Sequence, residues 1–299
     1  MLKERQKPFG MNKKVKVAAL SVLSNTTLII LKVIAGILSG SVSILSEAIH
    51  SGMDLIAAII AFFSVRLSLK PADKSHPYGH GKIENVSGVV EGILIFIAAF
   101  LIIAEAIKKI INQTPIHETT IAIIVMGISA IINFIVSRIL YRTARSEDSM
   151  ALEADALHLK TDVYTSLGVG AGLLFITVTG LKVLDPVVAI LVALLILKES
   201  WVLVRHAFSP LLDAKLSDEE ENRIKNVISA YNDKIIDFHM LRTRKSGNIK
   251  YIDFHITVNK DFTVKESHDL GERIENDLEA SVRNTNVSIH IEPGTADSN

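Results

Sequence analysis

The chain has 299 residues, no cysteine, and 32 basic against 32 acidic side chains. These counts exclude a disulfide framework, a cysteine zinc knuckle and thiol chemistry; without a basic excess, no nucleic-acid partner is expected. Apolar residues reach 49% and the mean hydropathy is +0.36, high for a soluble domain of this length.

In chain order, residues 1–13 are polar and basic and lack the apolar run and small-residue cleavage site of a signal peptide. They read as a cytoplasmic N-terminal segment. Residues 14–206 hold the long apolar runs. A helix needs about 20 apolar residues to cross about 30 Å of hydrocarbon. Six stretches qualify, at about 15–38, 41–69, 83–111, 118–140, 151–179 and 184–204. Basic residues concentrate in alternate connections: Lys3 to Lys16 before the first span, Arg66, Lys70, Lys74 and Lys82 between the second and third, and Arg138, Arg142 and Arg145 between the fourth and fifth. The opposite connections carry only Lys108, Lys109 and Lys182. The positive-inside rule then places both termini in the cytoplasm of a multi-pass protein in the lipid bilayer of the cell membrane.

Residues 207–292 contain no such run and read as a cytoplasmic domain, with 293–299 as a tail. Ser217 followed by Asp218, Glu219 and Glu220 is a helix-start signal for a helix over 216–231. Residues 235–243 and 250–258 read as strands around a Lys245–Asn248 turn, 264–282 as an amphipathic helix, and 287–292 as a last strand before Pro293-Gly294. The order αββαβ gives a small α+β domain, which would gain from a partner at this size.

Ionisable residues inside spans are costly and point to function. The second span holds His50 and Asp54, and the fifth holds His158 and Asp162, both as His-x-x-x-Asp. Positions i and i+4 share a helix face, so each pair can grip an ion from one side. If the two helices face each other, they form an N₂O₂ set suited to tetrahedral Zn²⁺; Ca²⁺ and Mg²⁺ prefer all-oxygen shells. Glu47 and Asp155, each one turn earlier, are supporting partners, groups on an access path, or interface charges. Asn25, Glu91 and Asn133 read as hydrogen-bonding contacts between helices. Lys32 is expected to snorkel outward. A second cluster, Asp73, His76 and His80, lies in the loop after the second span and is either a three-ligand site or a histidine-bearing turn. A third is His239, His255, His268 and His290, with Glu292. Eight of the ten histidines fall in these groups.

The segments SVSILSEAIHSGMD, KPADKSHPYGHGKIE, LEADALHLKTD and FHMLRTRKSG together resemble the cation diffusion facilitator family, in particular its bacterial zinc/iron efflux branch. The resemblance covers nearly the whole chain. It implies a homodimer of six-helix transporters with a cytoplasmic αββαβ domain of metallochaperone (ferredoxin-like) fold, and export of a divalent metal against entering protons. It makes His50, Asp54, His158 and Asp162 the transport site. It makes Asp73, His76 and His80 a loop site, and His239, His255, His268, His290 and Glu292 tail ligands or their supports, where zinc would also regulate. Lys82 and Asp213 match a charge interlock. His50, in place of the Asp of some relatives, resembles zinc-selective members and weakens the case for Fe²⁺ or Cd²⁺; His158 departs from the manganese pattern. A broader divalent exporter, a membrane sensor that moves no metal, and an intramembrane metal hydrolase are the alternatives. The hydrolase, and with it enzymatic activity, is disfavoured because a filled His₂Asp₂ shell leaves no position for water.

Overall fold

The computed structural model describes residues 11–39, 42–112, 120–179 and 184–294. They divide into two compact units, Met1–Pro71 with Ile83–Phe208, and Ala72–Lys82 with Ser209–Asn299.

The first unit consists of six long helices: α1 (Met11–Ser39), α2 (Val42–Ser68), α3 (Lys82–Asn112), α4 (Thr120–Glu147), α5 (Met150–Thr179) and α6 (Leu184–Phe208). Five of them are long and apolar enough to cross a membrane. The fifth helix, expected as a span, is not among these: Glu153, Asp155, Lys160 and Asp162 crowd its first half, and the side chains of 169–179 lie outside the described residues. Many large apolar side chains of the helices face outward, Leu38, Leu101 and Leu191 among them, as hydrocarbon as a solvent allows.

Two interior clusters organise this bundle. Ala18, Val65, Leu140, Leu152 and Leu159 join α1, α2, α4 and α5. Ile95, Ala99, Ala154, Ile196 and Leu203 join α3 and α6 to the first turns of α5. Small residues set the close approaches: a Cβ on Gly92 would lie 2.6 Å from the Val204 side chain, so α3 and α6 meet where the side chain is absent.

In the second unit, α7 (Asp218–Ser229) and α8 (Val264–Ser281) pack on a three-stranded sheet of order β1-β2-β3. Ser217 caps α7 and Thr263 caps α8, the latter in a reciprocal capping box with Glu266. The strands are β1 (Asp237–Ser246), β2 (Ile249–Asn259) and β3 (Thr285–Gly294); β1 runs antiparallel and β3 parallel to β2. Strand β2 alternates as its sequence predicts: Ile252, Phe254, Ile256 and Val258 are buried under the helices with Ile274 and Leu278. The intervening residues, His255 among them, project to the other face. The last strand does not stop at Glu292, as the sequence suggests, but pairs Pro293 with Val258 and Gly294 with Asn259. It can do so because β3 is an edge strand, where a missing N–H is tolerated.

Candidate metal centres

Within the bundle, α2 and α5 lie side by side, and Asp54, His158 and Asp162 each offer a ligand atom within 4.8 Å of the others. His158 Nε2 is 3.2 Å from Asp54 Oδ1. Asp54 is buried, and His158 and Asp162 are half-buried. His50 belongs to α2, one turn before Asp54, but its side chain, like that of Glu47, lies outside the described residues. The i, i+4 spacing on each helix, and the packing of α2 against α5, bring the cluster together.

Neighbouring helices supply polar contacts. Asn133 of α4 donates to Asp162 Oδ2 over 3.4 Å, so a residue whose sequence suggests only helix-to-helix bonding contacts a candidate ligand. No local pattern distinguishes it from any other intramembrane amide. Asp155 is fully buried and accepts from Ser21 Oγ of α1 at 3.1 Å. Glu91 of α3 is fully buried and accepts from Ser87 Oγ one turn away. Asn25 is also buried. Lys32 does not snorkel outward: it is 6% exposed and donates to Ser51 Oγ at 2.7 Å, a hydrogen bond taking the place of interfacial water.

The second unit carries two clusters of its own. The loop Ala72–Lys82 folds around Asp73. Asp73 Oδ1 accepts from the backbone N–H of His76 at 2.7 Å and of Ser75 at 2.9 Å, and it lies 3.2 Å from His76 Nδ1. His80 Nε2 is 3.5 Å from Asp73 Oδ2. The three side chains present ligand atoms within 4.8 Å of one another. Backbone donation by His76, foremost among several hydrogen bonds, holds the exposed Asp73 carboxyl below its ordinary value and so keeps it an anionic donor.

On the open face of the sheet, His239, His255 and His290 stand abreast, since His239 pairs with His255 and His255 with His290 across the strands. Glu292 bridges this row: its carboxylate is 3.0 Å from His255 Nδ1, 3.4 Å from His239 Nε2 and 3.7 Å from His290 Nε2. His239, His255 and Glu292 form the compact donor group, and His290 stacks on His255 with ring centres 4.6 Å apart. His268 is not brought to this row. It sits exposed on α8, in the helical layer over the opposite face.

Lys82 donates to Asp213 Oδ1 at 2.8 Å, and this hydrogen bond draws the Asp213 carboxyl below its ordinary value. Arg244 lies 3.6 Å from the same oxygen. Its guanidinium packs over the rings of both Tyr78 of the loop and Tyr251 of β2, 4.5 and 4.4 Å from their centres, and the two rings meet edge-on at 5.4 Å. The loop also presses its backbone on the β1–β2 turn: a Cβ on Gly81 would meet Ser246 O at 2.6 Å.

Long apolar helices, histidine–carboxylate groups inside the bundle and a small αββαβ domain are the features of a membrane protein that handles cations. Residues 18–212 match the cation efflux transmembrane domain, and 216–294 match the cytoplasmic domain of cation efflux proteins. The chain belongs to the cation diffusion facilitator family of cation efflux transporters. Among its relatives, the uncharacterized transporter sll1263 of Synechocystis sp. is 36% identical over 88% of this chain and 85% of its own length. The cation-efflux pump FieF of Yersinia pestis is 30% identical over 93% of both chains, and FieF of Shewanella oneidensis 29% over 91% of this chain and 92% of its own. A solved structure from work on a transporter assigned to zinc, CzrB, is 30% identical, with a TM-score of 0.26; it covers 27% of this chain and 99% of that one.

Proposed function

We propose that this chain exports zinc from the cytoplasm across the cell membrane in exchange for protons, as a homodimer with both termini inside. Residues 14–206 form the membrane carrier, and 207–292 the cytoplasmic domain. The observation that carries the reading is the convergence of Asp54, His158 and Asp162 within 4.8 Å inside an apolar bundle, with His50 one turn before Asp54. Mixed imidazole and carboxylate donors suit Zn²⁺ better than the hard cations. Such ligands bind metal only when neutral or ionised respectively, so loading releases protons and reprotonation from the other side expels the metal. A protein that alternates its access between two faces converts that competition into exchange. The carrier reading also leaves no role for hydrolysis, because four protein donors fill a tetrahedral shell.

The loop cluster and the histidine row belong, in this reading, to the regulatory side: cytosolic zinc held there steadies the cytoplasmic domain and its pairing with a second copy. The test is zinc uptake into proteoliposomes under an imposed pH gradient, run beside Fe²⁺ and Cd²⁺. Asp162→Ala abolishes gradient-driven zinc flux while the protein stays monodisperse; undiminished flux in that variant overturns the site. A chain that binds zinc but moves none is a sensor, and the export reading falls.

A further inference from the structure

A buried carboxylate far from the ligand cluster ties together the end of the bundle that carries the N-terminus and the 72–82 loop. Glu84, in the first turn of α3, is 2% exposed. Its Oε1 accepts from Lys14 Nζ of α1 at 3.2 Å and from Ser68 Oγ at the end of α2 at 2.7 Å. Its Oε2 accepts from Ser149 Oγ, at the joint between α4 and α5. Lys14 and Glu84 are buried together, at 4% and 3% side-chain exposure. One acid thus holds three helices and the α4–α5 joint.

Between this knot and the metal ligands the bundle interior is tightly packed and mostly apolar, the buried Asp155–Ser21 hydrogen bond being set among the apolar side chains. Ala18, Val65, Leu140, Ala151 and Leu152 are completely buried there, drawn from α1, α2, α4 and α5. Ser68 lies 14 residues past Asp54, and Ser149 nine before His158. At 1.5 Å per residue the knot stands about 21 Å along α2 and about 13 Å along α5 from the cluster. Glu84 is therefore too remote to be a ligand, and a plug of mainly apolar side chains separates it from the ligands.

We propose that Glu84 is the bolt of this end: gripped by Lys14, Ser68 and Ser149, its carboxylate holds the plug shut, and metal reaches the ligands from this side only when that grip breaks. The inference rests on the transport reading for its purpose, but not for its geometry. An ion pair buried this completely suits a switch more than a permanent brace. Desolvating two charges cancels much of their attraction, so the closed state gains little net stability from the pair. Removing one partner, in contrast, leaves a buried charge that must find water. Four elements converge on one group, so its release frees all four at once.

The chain has no cysteine, so a single reporter can be placed directly. Ser64→Cys puts a near-isosteric thiol at a buried position of α2, beside Val65 of the plug. Full-length protein in detergent is treated with a water-soluble maleimide, as the parent and with Glu84→Gln or Lys14→Gln added; zinc binding and proteoliposome flux are measured alongside. Slow labelling is expected in the parent. Labelling about tenfold faster or more is expected in both variants, with zinc affinity within about threefold of the parent, since the ligands are untouched. Labelling that stays slow in both variants overturns the bolt. So does faster labelling accompanied by lost zinc binding and aggregation in both, which marks Glu84 as a brace. Because labelling is read without transport, a parent that moves no zinc refutes the export reading and leaves the bolt to be judged on the thiol alone.

Discussion

Asn133 offers a test of whether the intramembrane cluster is a preorganised metal site. Its Nδ2 donates to Asp162 Oδ2 at 3.4 Å, while its own Oδ1 is buried with no hydrogen-bond partner among the described residues. Replacement by leucine, close in volume, removes both groups. Groups that orient metal ligands are worth about 10–100-fold in affinity. The long donor–acceptor distance puts this one at the weak end, so Asn133→Leu should weaken zinc binding about tenfold, or about 1.4 kcal/mol. Stability should move the other way or not at all, because an unsatisfied buried acceptor costs about 1–3 kcal/mol and is now gone. The opposite signs separate a positioning role from general damage. The assay is competition with a chromophoric chelator in detergent, paired with a thermal melt, in a background where His76, His239 and His255 are alanine so that the membrane cluster dominates the signal. Affinity within twofold of the parent, or a loss that tracks a lower melting temperature, refutes the reasoning.

Glu292 is the only carboxylate in the compact donor group on the open sheet face. Glu292→Gln should therefore weaken zinc binding at that face by more than tenfold, while the affinity of a chain reduced to its membrane cluster is unchanged; parallel titrations of the two backgrounds check this. Gly81→Ala drives a Cβ into the Ser246 backbone carbonyl at 2.6 Å, which cannot swing aside as a side chain would, so the loop must lift. Trypsin should then cut at Lys74 and Lys82 several-fold faster than in the parent. Burial, with the hydrogen bond to Asp277, pushes the Tyr231 phenol from 10.0 up to about 12. The folded chain holds that proton more tightly than the unfolded one. The stabilisation is therefore complete below pH 10 and lost as pH rises toward about 12. Denaturant unfolding across that window should show a fall in the parent that Tyr231→Phe flattens.

Where one residue type at one spacing carries the chemistry, the sequence was enough to suggest it. His-x-x-x-Asp on two apolar helices needs only helical periodicity and one helix–helix contact to bring Asp54, His158 and Asp162 together. The alternation of β2 likewise announces which face His255 occupies. What stayed hidden depends on who sits opposite. Lys32 has the same composition around it as a snorkelling lysine; in the fold it turns inward and bonds Ser51 across the helix pair. Pro293 ends a strand by propensity, and an edge position overrides that. Glu84 looks like an ordinary acid in the first turn of a helix, favourable to the dipole wherever it points. Its three donors come from positions 14, 68 and 149, a separation no local pattern encodes.

The 72–82 loop shows most plainly why linear boundaries mislead. By sequence it is a connection between two spans, and its histidines read equally as a site or a turn. In the fold it belongs with the second unit, fixed there by Arg244 packed on Tyr78 and Tyr251 and by the Lys82–Asp213 pair. It begins a few residues after the end of α2 and runs directly into the first turn of α3. Ser68 and Glu84, the two partners of the buried knot that α2 and α3 supply, lie four residues before Ala72 and two after Lys82. Any shift of the second unit that pulls the loop therefore pulls, through a few peptide bonds, on both ends of the Ser68–Glu84 hydrogen bond. Arg244→Ala, which removes the guanidinium packed on both tyrosines without touching the bundle, should therefore speed maleimide labelling of Ser64→Cys in the same direction as Glu84→Gln. Labelling indifferent to Arg244 would mean that the domain and the knot work independently, whatever each does alone.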